Sequence, residues 1–354
     1  MKLFDKHLWK AALGGLLIAW IALVTLDVFF AFISEAGKTN ELYSTAQAII
    51  YLIFTLPSRF YEFFPMSILI GALLGLGSLA ANSEFIAMRA AGISIKGITF
   101  SILKLGLVLA VLVFILGEWV VPNTDLHARN FKAHLKNKNI TLVGGNGLWV
   151  KDKDSILRIG NVLTKDRLSD ISVYTFKEGY VGLKELTTVG IANNTKAGWD
   201  LTNINTSIFK ESSIQKNHQD RRIDKNFLDA EILTVANIKP EQLSSSELNT
   251  IIKHQKDNQL KSDKYELIYW KRYSIPLSAL VMLMLAMPFL FGSNRGGGAG
   301  QRVFVGIVVG ILFSLVSRSA NDLGLVYGFS PVISAFLPLF IFFLVSLFFL
   351  NRIR

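Results

Sequence analysis

The chain contains no cysteine. Disulfides, thiolate metal sites and cysteine nucleophiles are therefore excluded. Histidine is sparse as well: His7, His127, His134, His218 and His254 are scattered along the chain. His127 and His134 stand seven apart and can share a helix face, but no carboxylate cluster completes a metal site. No Ser-His-Asp grouping and no pair of neighbouring carboxylates suggests hydrolytic chemistry. A phosphate-binding loop is lacking too. Gly37-Lys38-Thr39 resembles the end of one, but Phe32 stands where its earlier glycine belongs. No cofactor is expected in this chain, and no nucleic acid among its partners. Any work driven by ATP must come from another protein.

Apolar residues dominate what is present. They make up 51% of the 354 residues, and mean hydropathy is +0.42. A membrane span needs about 20 mostly apolar residues. Leu8–Ala36 supplies the first, about Arg59–Ala81 the second and Ile98–Val121 the third. Ser274–Gly292, Val303–Leu323 and Pro331–Leu350 supply three more. Ala46–Leu56 reads as an interfacial approach to the second span. The first run is too long for a signal peptide and has no small-residue cleavage site, so it is expected to be retained. The formal net charge is +11, which agrees with a positive-inside bias plus a lysine-rich soluble region. Lys2, Lys6 and Lys10 lie before or at the start of the first span, and Arg89 and Lys96 lie between the second and third. Arg295 and Arg302 separate the fourth and fifth, and Arg352 and Arg354 close the chain. All fall on one side if both termini are cytosolic, which makes the large polar region extracytoplasmic.

That region, from Pro122 to about Tyr265, alternates like strands. Leu148–Asp152, Ser155–Leu163, Ile171–Phe176 and Gly198–Ile204 are separated by the turn-like clusters KDKD, KEG and NNTKAG. Short strands at regular spacing suggest a sandwich or an open jelly roll. Ser244 and Glu247 form a capping box ahead of a helix that leads back to the fourth span. Ser293–Arg302 is glycine-rich and reads as a flexible connector.

The stretch Phe63–Gly97 organises the rest. Gly71 and Gly75 stand four apart among small residues, which lets a neighbouring membrane helix approach closely. Asn82 can then cap a short helix that carries Glu84 in its first turn and ends at Gly92. A short helix between two spans can pass force to a soluble partner. These residues resemble those of the LptF/LptG family, the membrane subunits of the bacterial lipopolysaccharide ABC exporter. The resemblance runs along nearly the whole chain and includes GEWVVPNTDLHARNFKA, GLWVKD and SIPLSALVMLMLAMPFLFG. It lies on the LptG side of the family, with the sister subunit LptF the nearest alternative.

The resemblance implies an α-helical polytopic protein of the bacterial inner membrane, with six transmembrane helices and an inserted all-β periplasmic jellyroll. Residues 1–121 would hold spans one to three and a coupling helix at 82–92. Residues 122–265 would hold the jellyroll and its return helix, and residues 266–354 spans four to six. It implies an LptF-like membrane subunit, an LptB-like ATPase dimer binding ATP and magnesium, an LptC-like bridge protein and lipopolysaccharide as partners. The coupling helix would meet the ATPase through Glu84, Phe85, Met88 and Arg89.

Basic groups near the outer ends of the spans suit phosphate: arginine by paired hydrogen bonds, lysine as a point charge. Lys38, Arg59, Arg129, Lys132 and Arg318 are the candidates for lipopolysaccharide, with plain interfacial anchoring as the alternative for each. ARNFK keeps Arg129 and Lys132 at the family's basic positions, whereas FFAFISEAGK leaves the first helix Lys38 alone beside Glu35. Arg318 and Asp322 stand four apart and can pair on one helix face. Two other classes of function fit the residues. One is an intramembrane enzyme acting on a lipid-linked substrate through Glu118, Arg318 or Asp322. The other is an envelope scaffold.

Overall fold

The computed structural model describes residues 3–39, 43–135, 148–152, 155–164, 166–177, 182–195, 197–210, 213–224, 227, 240–291 and 299–352. It divides into two compact units. One combines Met1–Arg129 with Asp263–Arg354, and the other is Asn130–Ser262.

The first unit is helical. Its elements are α1 (Leu3–Ala36), α2 (Thr45–Phe54), α3 (Leu56–Ala81), α4 (Glu84–Ala90), α5 (Ile95–Ile115) and the part of α6 (Val121–Leu135) up to Arg129. After the second unit come α8 (Asp263–Phe291), α9 (Ala299–Tyr327) and α10 (Pro331–Asn351). Six helices among the described residues are long and apolar enough to cross a membrane: Phe4–Ala36, Leu56–Ala81, Ile95–Lys132, Asp263–Phe291, Gly300–Tyr327 and Pro331–Asn351.

Three details differ from the sequence reading. The interfacial approach is a helix of its own, α2, closed by a capping box between Ser44 and Gln47. The third span does not stop at Val121. A π-turn at Leu116–Val120 joins α5 to α6 without a break. Asn82 caps no new helix: it sits at the C-cap of α3, and Ser83, at φ 59°, precedes α4. The left-handed residue reverses the chain where a side-chain cap was expected.

α3 is the centre of this unit, with 67% of its span buried against 17% for α1 and 17% for α9. Glycine makes that possible. A Cβ on Gly15 of α1 would run into the backbone of Gly71 and Gly75 on α3. A Cβ on Gly71 would strike the backbone of Leu16, and one on Gly75 that of Ala11. Lipid tails are as apolar as leucine, so helix association in a bilayer depends on such close backbone approach. On its other flank α3 receives Gly306 and Gly310 of α9 against Leu73 and Met66.

The second unit is a six-stranded antiparallel meander in the order β1 (Leu148–Asp152), β2 (Ser155–Thr164), β3 (Arg167–Phe176), β4 (Leu183–Thr195), β5 (Gly198–Phe209) and β6 (Ile214–Asp224). It is the expected inserted β region. The return helix α7 (Ser245–Asp257) follows, and its Ser244–Glu247 capping box is formed. At one level of three strands, successive buried apolar residues are three apart instead of two: Leu168 and Ile171, Val189 and Ala192, Leu201 and Ile204. Asp170 and Asn203, at φ 54° and 55°, lie in these gaps. Gly160 and Gly190 face them across the ladders, where a Cβ would meet the Asp170 and Asn203 side chains. A line of left-handed and glycine residues therefore creases four adjacent strands, a device for curving a sheet. At the edge, Arg221 donates two hydrogen bonds to the Asp200 carboxylate, at 2.7 and 2.8 Å. These hold the Asp200 carboxyl below its ordinary value.

The α1–α3 seam yields a paired prediction. Gly15→Ala should destabilise the protein by at least about 1–3 kcal/mol, the usual cost of overpacking, because backbone cannot yield as a side chain can. Gly14→Ala, with nothing within 4 Å of its Cβ, should be neutral. Thermal unfolding of the detergent-solubilised protein reads the difference. Equal melting temperatures would show that the seam is loose.

Candidate functional site

α4 is short because both ends are set by the backbone. Ser83 turns the chain into it, and Gly92, at φ 86°, turns it out. The Gly92 N–H donates to the Arg89 carbonyl and the Ile93 N–H to the Met88 carbonyl, each at 3.0 Å. This is the Schellman closure, and it supports the expected stop at Gly92.

The four candidate coupling residues separate on this helix. Phe85 is 4% exposed and packs on Phe291 at the end of α8, with ring centroids 5.1 Å apart. It points into the chain, not out of it. Met88 packs partly against the same core. Glu84 accepts a 2.6 Å hydrogen bond from His7 Nε2 of α1. Arg89 is exposed and forms no ion pair among the described residues. The outward face instead presents Ile86, 51% exposed, with Ala87, Arg89 and Ala90. Ile86 escaped the sequence reading. Its signal is a surplus apolar residue on a seven-residue helix whose inward face is already filled by Phe85 and Met88.

At the opposite end of the unit, the basic candidates have local partners of their own. Lys38 donates to Glu35 at 2.9 Å, and Glu35 also accepts from the buried Tyr43 hydroxyl at 3.2 Å. Arg59 is ion-paired with Asp27 of α1. The neighbouring Ser58 hydroxyl donates to Asp125 of α6 at 3.0 Å, so α1, α3 and α6 are tied together there. Arg129 and Lys132 lie half-buried on α6, three apart and so on one side of it.

Glu118 belongs to the π-turn and pairs with Arg272 of α8 at 3.6 Å. Arg272 is 6% exposed and also donates to the Gly117 carbonyl. Gly117 lets the Tyr61 ring lie against the turn. This arrangement is a structural clasp of a buried charge with its counter-charge. Arg318 and Asp322 do not pair. Arg318 lines a cavity of about 270 Å³ with Glu62, Lys271, Ser274, Ser314 and Asn321. The Asn321 Oδ1 is buried there without a hydrogen-bond partner. A cavity with these walls can accept a polar or hydrated group at membrane depth.

The chain matches the model of the family described as lipopolysaccharide export system permease LptF/LptG over residues 6–352. It belongs to the LptF/LptG permease family. Among curated relatives, "Lipopolysaccharide export system permease protein LptG" of Haemophilus influenzae is 32% identical over 354 residues, covering 99% of this chain and 98% of that protein. The protein of the same name from Escherichia coli K12 is 32% identical over 355 residues, covering 98% of each. The LptF/LptG permease assignment agrees with the six candidate spans and the inserted sheet.

The burial of Phe85 makes it an anchor for α4. Phe85→Ala should loosen the helix by about 3–5 kcal/mol, the usual range for deleting a buried phenylalanine. Amide hydrogen exchange should then accelerate across Phe85–Ile93 while α3 and α8 keep their protection. Unchanged exchange in α4 would assign its docking to other contacts.

Proposed function

We propose that this chain is a transmembrane subunit of an ABC transporter that extracts lipopolysaccharide from the inner membrane and passes it towards the outer membrane. The observation that carries the reading is the family match across residues 6–352. The chain pairs with an LptF-like subunit and an LptB-like ATPase dimer, which binds ATP and magnesium and performs the hydrolysis. An LptC-like bridge protein takes the lipid onward. Both termini are cytosolic and the inserted unit is periplasmic, as the lysines and arginines flanking the spans suggest. The domains are residues 1–121, 122–265 and 266–354, with 82–92 as the coupling segment.

Lipopolysaccharide enters laterally, near the first span of this subunit and the fifth of its partner. Lys38, Arg59, Arg129, Lys132 and Arg318 bind its phosphates, and for Lys38 and Arg59 the phosphate competes with Glu35 and Asp27. Closure of the ATPase pushes on α4. From there the displacement has three routes: to α8 through Phe85 and Phe291, to α1 through Glu84 and His7, and to α5 through the Gly92 turn. ATP thereby favours a state whose cavity no longer accommodates the lipid.

Orientation can be tested with one cysteine, since the chain has none. The exposed Ala197, in the β4–β5 turn, is a suitable position. Ala197→Cys should react with an impermeant thiol reagent in intact spheroplasts. Labelling confined to lysed cells would invert the topology.

Coupling and binding separate in a reconstituted release assay with photocrosslinkable lipopolysaccharide. Glu84→Lys should place like charge in the ATPase groove, at a cost of several kcal/mol, and abolish release while crosslinking persists. His7→Ala should leave ATPase association nearly normal. If the two variants behave alike, Glu84 serves His7 and not the ATPase. Arg129→Ala with Lys132→Ala should lower crosslinking severalfold with assembly intact. Undiminished crosslinking would make them interfacial anchors.

A further inference from the structure

A second cavity, of about 600 Å³, lies at the α4 end of the helical unit. Its walls are the turn from α4 into α5 (Arg89, Gly92, Ser94), the first turns of α5 (Lys96, Phe100, Leu103) and the end of α10 (Leu350, Asn351). The size falls within the range of small-ligand sites, about 300–1,000 Å³. The chemistry is two-sided, with a basic rim and an apolar floor.

The rim carries uncompensated positive charge. Arg89 and Lys96 are both exposed, and neither forms an ion pair among the described residues. The nearest acid in sequence, Glu84, is held by His7. Asp5 is buried and hydrogen-bonded to Ser101. Lys104 lies two turns beyond Lys96 on the same face of α5, with its Nζ 4.9 Å from the Phe100 ring centre. The side chain therefore reaches back along the helix towards the rim, as a lysine inside a span must to keep its charge near water. Arg352 stacks on Phe348 at 4.5 Å beside the α10 wall. At the mouth, Ser94 accepts from the Gly97 N–H at 3.1 Å and so caps α5.

The floor continues into the bilayer. Below Lys104, α5 presents Leu107, Val108, Val111 and Leu112, all exposed, as an apolar stripe. A ligand with an anionic head and a hydrocarbon tail meets both halves. Basic pockets between membrane helices on the cytoplasmic side are known to select anionic head groups.

We propose that this groove is a binding site for one anionic phospholipid. Its phosphate is held by Lys96 and Arg89, with Lys104 beneath, and an acyl chain runs along Phe100 and Leu107. Assignment to the cytosolic leaflet rests on the orientation proposed above, whereas the binding itself does not. A lipid seated there would brace the turn that links α4 to the third span.

The test is native mass spectrometry of the full chain purified with its membrane partners in mild detergent, with phosphatidylglycerol and phosphatidylcholine as probes. We expect a phosphatidylglycerol adduct, preferred over phosphatidylcholine, whose bound fraction falls roughly tenfold in Lys96→Glu. Lys96→Arg should retain it, since guanidinium also pairs with phosphate. Matching melting temperatures for the two variants exclude misfolding. Equal retention of phosphatidylcholine, or no loss in Lys96→Glu, overturns the proposal. So does displacement of the lipid by millimolar inorganic phosphate, which would make the groove a free-anion site, or by added ATPase, which would make it a protein surface. None of these readouts uses transport, so failure of the export reading would appear separately.

Discussion

The helical unit depends on one contact, the backbone of α1 lying directly on the backbone of α3. Gly15, Gly71 and Gly75 meet with no side chain between them. In water a bundle gains by hiding apolar surface, but in a bilayer that gain is absent and packing must supply it. A central α3 follows from the seam. With one flank closed on α1, its other residues remain for α8 and α9, and Arg302 of α9 donates to the Gly77 carbonyl near its end. α1 and α9 keep most of their surface uncovered, which leaves them available to lipid or to a partner subunit.

The second constraint is electrostatic. Charges at membrane depth are costly, and several here have a local answer: Asp27 with Arg59, Glu118 with Arg272, Asp5 with Ser101. These answers separate the basic residues that the sequence presents as equals. Lys38 and Arg59 arrive already neutralised, while Arg318 opens on a polar cavity. The compensation could not be read from spacing. Asp27 is 32 residues from Arg59, and only the α1–α3 seam brings them together.

Elements governed by local rules were legible in the sequence. The spans are long apolar runs, β1 matches its alternation from Leu148 to Asp152, and the Ser244–Glu247 box and the Gly92 stop are short-range signals. The rest follows from tertiary effects. Ile171 and Ile204, where the strand readings began and ended, flank the crease, because the left-handed Asp170 and Asn203 shift which residues face inward. β4 was hidden by its asparagines, Asn193 and Asn194, which resemble a turn but pair with Asp200 and Trp199. β6 carries no apolar alternation at all, being exposed along nearly its whole length. The π-turn exists through Gly117, Tyr61 and Arg272, three residues on three helices. Within the candidate site the short helix α4 was readable, but its facing was not: Phe85 is buried and Ile86 is exposed. Of the KDKD cluster, Lys151 and Asp152 belong to β1, while residues 153–154, residues 178–179 of KEG and most of the Ser293–Arg302 connector lie outside the described residues.

The unbroken passage from α5 through the π-turn into α6 has a mechanical side. Thirty-eight residues, Ile95–Lys132, form one rod. At 1.5 Å per residue it is about 57 Å long, nearly twice the roughly 30 Å of a bilayer's hydrocarbon core. Its base is joined to α4 by four residues, Ala91–Ser94. For a rigid helix of that length, a tilt of about 10° at the base would sweep the tip through about 10 Å, roughly twice the pitch of a helical turn. The π-turn, clasped by Arg272, sits near the middle of the rod, where a fulcrum would divide the stroke.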